Sequence, residues 1–275
     1  LLLVLGHGGG FFPADQAFAS ISVPVLLILI AIGMFATVFA ESGVFERACR
    51  GIAVAARGDR RVLVPAFLVL TYLLSCLLPN LTCLYVLLPL MIGTLRAVGM
   101  EDETLRRTLV AIVIASNLGG ASTMIGDFPN ILISRSQGIP FLAFLEWMMP
   151  ACAIMLVLLG ALVWQPRRGS AAASPLARGV LTAMLQQQRE QLRVDWRLFV
   201  PALITFAAML AGLISTGWFP FPPELVCLAM ACLCVWMLPR PEEWATRIDV
   251  QSTLFIACLF IFAGAIQSTG ALAQL

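Results

Sequence analysis

The sequence predicts an all-α integral membrane fold built as an inverted repeat, with a re-entrant hairpin and a discontinuous helix. Three observations lead there. Of the 275 residues, 60% are hydrophobic and 12% charged, and a mean hydropathy of +0.95 leaves too little polar surface to cover a soluble globule. Several apolar stretches approach the roughly 20 residues that carry a helix across about 30 Å of hydrocarbon, and short runs between them hold nearly all the charge. One of these stretches is interrupted by glycine, proline and polar residues, which a bilayer tolerates only where protein or a cavity covers the freed backbone. Barrel strands are excluded, because they would alternate over short segments.

The first full segment runs from Ser20 to Ala40. After it, Phe45, Cys49, Ile52 and Ala56 recur at helical spacing among arginines, which predicts an amphipathic helix on the membrane surface. Val62 to Leu78 and Thr82 to Ala97 follow, joined only by Pro79, Asn80 and Leu81. Each is slightly short for a span, so the pair fits a re-entrant hairpin with its tip at membrane depth; two tilted crossings are the other solution. Leu105 to Ser134 contains the interruption. Phe141 to Trp164, Leu198 to Ser215 and Phe221 to Leu238 read as plain crossings, and a last segment begins near Val250.

An internal repeat organises these segments. At an offset of 227 positions, Val23, Leu27, Phe35, Ala36 and Gly43 align with identical Val250, Leu254, Phe262, Ala263 and Gly270. Five crossings separate the two starts, or seven with both hairpin arms spanning. Either number is odd, so the second copy enters from the opposite face, as in many secondary transporters. The division is therefore 1–165 as the first repeat, 166–196 as a cytoplasmic linker containing the polar helical run MLQQQREQLRV, and 197–275 as the truncated start of the second repeat. Leu1 lies inside one apolar run and Leu275 within or just after another, so the chain reads as a fragment. With the hairpin returning to its own side, all of the 17 arginines except Arg135 fall on one face, which the positive-inside rule makes cytoplasmic.

The interruption, Asn117 to Asn130 (NLGGASTMIGDFPN), carries the chemistry. Gly119, Gly120, Gly126 and Pro129 break a helical ladder and free backbone groups, which broken transporter helices present to ions and substrates. Asp127 adds a carboxylate where a central charge costs roughly 2.5–3.5 kcal/mol on insertion scales, so it needs a cation, a proton or a polar partner; a simple helix cap is the structural alternative. Ser75, Asn80 and Thr82 form a second polar cluster at the hairpin tip. Glu41 and Ser42 end the first crossing, where the carboxylate is expected to face water, Glu146 and Glu224 lie near segment starts and are expected at the interface, and His7, the single histidine, sits in a glycine-rich loop.

Other chemistries are excluded. The chain has no lysine, hence no P-loop or Schiff-base lysine, and no arginine run interleaved with aromatics for nucleic acid. Its eight cysteines lack metal-ligand spacing and read as small buried hydrophobes. Cys232 and Cys234 point about 200° apart on a helix. No HExxH or GxSxG is present, so an enzyme is not expected.

Three stretches in order, GMFATVFAESGVFERA, SCLLPNLTCLYVLLPL and NLGGASTMIGDFPNILI, resemble motifs of the ion transporter superfamily. That superfamily includes arsenite/antimonite permeases, the melanosomal P protein, sodium/proton antiporters and citrate-like or divalent-anion symporters. The resemblance covers Val23 to Trp164 well. It implies that Asn80, Thr82, Asn117, Gly119, Gly120, Thr123, Gly126, Asp127, Pro129 and Asn130 line a first half-site for ion or substrate, with Na⁺ held at Asn80, Asn117 and Asp127. A second hairpin and broken helix, expected beyond Leu275, would complete it. Two departures stand out: Pro79 replaces an aspartate common in the arsenite and P-protein branch, and Phe128 replaces the first proline of a PPN element. Retention of Asp127 argues against the dicarboxylate branch.

The expectation is a secondary active transporter of an inorganic or carboxylate anion, working by alternating access and coupled to Na⁺ or H⁺. A sodium/proton antiporter of the same superfamily is the alternative, and a passive ion channel the alternative from another class. No cofactor is expected beyond the coupling Na⁺. The expected partners are a small ion and the lipid bilayer, with no nucleic acid and with room for a homodimer. The expected location is the bacterial inner membrane, as a multi-pass protein.

Overall fold

The computed structural model describes residues 14–163, 194–215, 221–247 and 250–268. His7 and nearly all of the 166–196 linker lie outside them. The described residues form twelve α-helices: α1 (Ala14–Ala19), α2 (Val23–Glu41), α3 (Val44–Ala55), α4 (Arg60–Ser75), α5 (Asn80–Ala97), α6 (Asp102–Ser122), α7 (Phe128–Gln137), α8 (Phe141–Val163), α9 (Trp196–Ser215), α10 (Pro223–Met237), α11 (Pro241–Ala245) and α12 (Val250–Ser268). Among the described residues, α2, α5, α8, α9 and α12 are long and apolar enough to cross a bilayer, and α10 is a shorter apolar helix of 15 residues. The protein is an all-α, multi-pass membrane protein.

The helices sort into two packed groups. In one, α4, α5, α6 and α8 pack against each other with α3 laid on α5; in the other, α2, α9 and α10 pack together with α11 and α12 beside them. An aromatic ladder fastens the second group, where Phe206 meets Phe35 and Phe39 edge-to-face at 5.2 and 5.6 Å, and Phe199 meets Phe39 at 5.9 Å. Such pairs are worth about 0.5–1.5 kcal/mol each beyond their burial. Contact between the groups is thinner, through α2 with α5 and α7 and through α8 with α9. The amphipathic α3 buries Phe45, Cys49 and Ala53. That apolar face is therefore met by the protein's own hairpin.

α4 and α5 form the hairpin. Asp59 caps α4 by accepting from the Arg61 amide at 2.9 Å. The Arg60 guanidinium donates to the carbonyls of Val98 (2.9 Å) and Gly99, so the start of α4 is tied to the end of α5. With 16 and 18 residues the arms are about 24 and 27 Å long, a little under the hydrocarbon thickness. The tip, 76–79, ends against α6 and α7.

α12 runs antiparallel to α2. Arg247, just before α12 begins, pairs with Glu41 at the end of α2, and α12 packs on α1, just before α2 begins. Both helices span 19 residues and start at the paired valines, Val23 and Val250.

Small residues let α4 and α6 approach closely. Ser75 and Ser116, both fully buried, share a hydrogen bond of 3.2 Å, and a Cβ on Gly119 would lie 2.3 Å from the Tyr72 carbonyl oxygen and 2.9 Å from the Ser75 Cβ. Close backbone contact of this kind replaces hydrophobic driving force between membrane helices. Gly119→Ala is expected to lower stability by about 1–3 kcal/mol, seen as a reduced Tm in detergent. Gly160→Ala, where nothing lies within 4 Å of the new methyl, is the matched control and should leave Tm unchanged or slightly raised.

Candidate functional site

The break in the interrupted helix is shorter than its sequence implies. Asn117, Gly119 and Gly120 are helical within α6, which continues to Ser122, and only 123–127 leave the helix before α7 begins. The expectation of a disruption beginning at Asn117 is corrected by packing. The glycines serve close approach to α4 rather than unwinding, and Gly120 backs onto Asn80, whose Oδ1 would lie 2.9 Å from a Cβ there. Pro129 likewise starts α7 instead of ending a helix, since its missing N–H falls in the first turn. It is exposed.

Within the break several freed groups are met by side chains. Thr123 donates its hydroxyl to the Cys76 carbonyl at the hairpin tip and accepts from the Gly126 amide at 3.0 Å. Asn130 reaches back from α7, its Nδ2 donating to the carbonyls of Gly120 and Thr123, both at 2.9 Å. Ser122 donates to the Leu118 carbonyl at 2.7 Å and accepts from the Tyr72 hydroxyl at 2.8 Å. A Cβ on Gly126 would come within 2.7 Å of the Gly120 oxygen and 2.8 Å of the Ser75 oxygen, so only glycine fits between the two backbones.

What is left facing outward is a triangle of polar side chains. Asn80, at the start of α5, donates its Nδ2 to Asn117 Oδ1 at 3.1 Å and to Asp127 Oδ2 at 3.4 Å. Asp127 is the N-cap of α7, its Oδ1 accepting from the Phe128 amide at 2.9 Å. Asn117 is exposed, whereas Asn80 and Asp127 are half-buried. The N-termini of α5 and α7 converge here with their positive dipole ends, and the C-terminus of α6 contributes carbonyls. Phe128 packs edge-to-face on Phe260, near the middle of α12, at 5.8 Å, so the triangle sits near mid-height of the bundle.

Of the residues singled out in the sequence, Asn80, Asn117 and Asp127 thus present donor and acceptor atoms to one opening. Gly119, Gly120, Gly126, Thr123 and Asn130 shape and brace it, and Thr82, half-buried in the first turn of α5, lies outside the hydrogen-bonded cluster. Ser116 and Tyr72 are residues that the sequence reading does not single out. Their signal was available in the sequence, since Tyr72 is one turn from Ser75 and Ser116 one turn from Gly119. Glu41, expected to face water, is exposed and also pairs with Arg247, and Glu224 pairs with Arg135 through two bonds of 2.6 and 3.0 Å. Six of the eight cysteines are buried, as expected, while Cys232 and Cys258 are exposed.

A helix broken near mid-bundle, with a hairpin tip closing on the break and a carboxylate between them, is an arrangement that membrane transporters use. The chain belongs to the citrate transporter family, whose model matches residues 1–275. It is 28% identical to the magnetosome protein MamN of Magnetospirillum gryphiswaldense over 99% of this chain and 61% of that protein. It is 31% identical to an uncharacterized transporter of Mycobacterium tuberculosis over 98% of this chain and 62% of that one. It is also 29% identical to the silicon efflux transporter LSI3 of Oryza sativa subsp. japonica over 62% of this chain and 35% of the rice protein. The chain thus spans about three fifths of the length of the first two relatives.

Asn130→Ala removes two hydrogen bonds from carbonyls that lipid cannot satisfy. The expected loss is about 1–3 kcal/mol, measured by thermal unfolding of the detergent-solubilised protein, with exposed Pro129→Ala as a mild comparison.

Proposed function

We propose that the chain is part of a secondary active transporter of the bacterial inner membrane, moving an inorganic or carboxylate anion in exchange for the free energy of a Na⁺ or H⁺ gradient. The observation that carries this reading is the Asn80–Asn117–Asp127 triangle, which joins the hairpin tip to the helix break. Its amide and carboxylate oxygens are hard donors suited to Na⁺. The amides of two helix N-termini beside them suit an anion. One opening therefore offers both ligand types, as coupled binding requires.

Substrate class follows from chemistry that the relatives' names bracket: citrate is a carboxylate, and silicon is handled as a small inorganic species. The antiparallel, equally long α2 and α12 support the inverted repeat, and the arginine-rich face is cytoplasmic on that reading. The two packed helix groups support alternating access, with the hairpin group moving against the group containing α2, α9 and α10. Each charge carried down a potential of 100 mV supplies about 2.3 kcal/mol for that motion. A cation antiporter is the second reading, favoured by the Asp127 Oδ2, whose one contact with Asn80 is long.

The test is uptake by the complete protein in proteoliposomes, with labelled citrate and silicic acid as probes and an imposed Na⁺ or pH gradient. Asp127→Asn is expected to lower gradient-driven uptake at least about tenfold, the effect of losing roughly 1.4 kcal/mol of binding. An unchanged rate removes Asp127 from the mechanism, and flux that persists without any gradient favours a channel.

A further inference from the structure

Arg135 is set apart by charge and by place. It is the arginine that stands opposite all the others when the crossings are counted, at the last turn of α7, and nothing in the positive-inside rule favours it there. Its guanidinium grips Glu224 at the first turn of α10 through two parallel bonds, Nη1 to Oε2 at 2.6 Å and Nη2 to Oε1 at 3.0 Å. The Glu224 side chain is only 12% exposed. Bidentate geometry and partial burial distinguish this bridge from ordinary surface pairs, which contribute little.

The bridge crosses the boundary between the two helix groups. α10 packs on α2 and α9; α7, which also touches α2, is joined in sequence to the hairpin group by the break at one end and by Gly138, in the left-handed conformation at φ 64°, at the other. Asn130 ties the start of α7 to the backbone of Gly120 and Thr123. Motion at the hairpin tip and break is therefore delivered to Arg135 through a rigid ten-residue rod. By contrast, the Glu41–Arg247 pair at the opposite end joins α2 to the segment before α12, inside one group. It does not span the boundary.

We propose that Arg135–Glu224 is a latch that holds the hairpin group against the other group at the external end, so that this end is closed while the pair is formed and opens when it parts. The proposal rests on the two-group reading of transport, yet it predicts a conformational equilibrium that is measurable without any flux. A bistable boundary whose contacts include a charge-assisted bridge shifts its populations by up to the free energy of that bridge when the bridge is lost.

The experiment places spin labels at Ser136 and Leu225, both exposed, in the complete protein with exposed Cys232 and Cys258 replaced by Ser. Distances are read by pulsed electron resonance in lipid nanodiscs. The unaltered pair should give one dominant short distance. Glu224→Gln and, separately, Arg135→Gln should each raise the longer-distance population at least about fivefold, the lower end of typical coupling between states. The exchanged pair, Arg135→Glu with Glu224→Arg, should restore the short distance. A distribution unchanged in both single variants overturns the latch, as does a long distance that the exchanged pair fails to shorten. Loss of uptake with the latch behaviour intact would instead count against the transport reading alone.

Discussion

Everything at the centre of this fold follows from one constraint: a backbone broken within a bilayer must find its hydrogen-bond partners in the protein. The stretch 123–127 frees amides and carbonyls between α6 and α7; side chains of the break and of α7 meet several of them, and Thr123 also ties the break to the hairpin tip. Thr123 takes the Cys76 carbonyl, and Asn130 folds back onto Gly120 and Thr123. The hairpin is therefore part of the break's own structure. The need for that contact explains the glycines, since Gly119 and Gly126 lie against the backbone of α4 and Gly120 against Asn80, with no room for a side chain.

Once the bracing groups are accounted for, a functional division among similar polar residues becomes visible. Thr123 and Asn130 spend their donors on carbonyls. Asn80 joins Asn117 and Asp127 at 3.1 and 3.4 Å, and these three are the side chains on which the proposed ligand site rests. The same physics that makes the break costly thus leaves a small polar opening at its edge, flanked by two helix N-termini. A transporter needs such a site on elements that move as a unit, and the packing of α4, α5, α6 and α8 into one group provides it.

Much of this was legible in the sequence. Apolar length and arginine placement mark the membrane helices, and Pro79–Asn80 and Asp127–Pro129 mark the tip and the break. What the sequence blurs is the role of glycine. In Asn117–Gly120 it reads as a breaker, yet the helix runs on, because a neighbouring backbone can compensate for a missing side chain and one-dimensional pattern carries no neighbours. Ser116 and Tyr72 carry only a faint signal for the same reason: polar residues on an apolar helix become fully informative only when Ser75 and Ser122 are seen beside them. The pattern puts Glu224 at a segment start but does not reveal its partner, because Arg135 lies 89 positions away.

The central claim is that hairpin tip and helix break form a single ion site through Asn80 and Asp127. A double-mutant cycle of Asn80→Ala and Asp127→Asn addresses it most directly, read as the Na⁺ or citrate concentration that half-protects the complete protein from thermal unfolding. Coupling of at least about 0.5 kcal/mol between the two substitutions is expected for side chains acting on one ligand. Strict additivity, with each change weakening protection independently, would contradict the account.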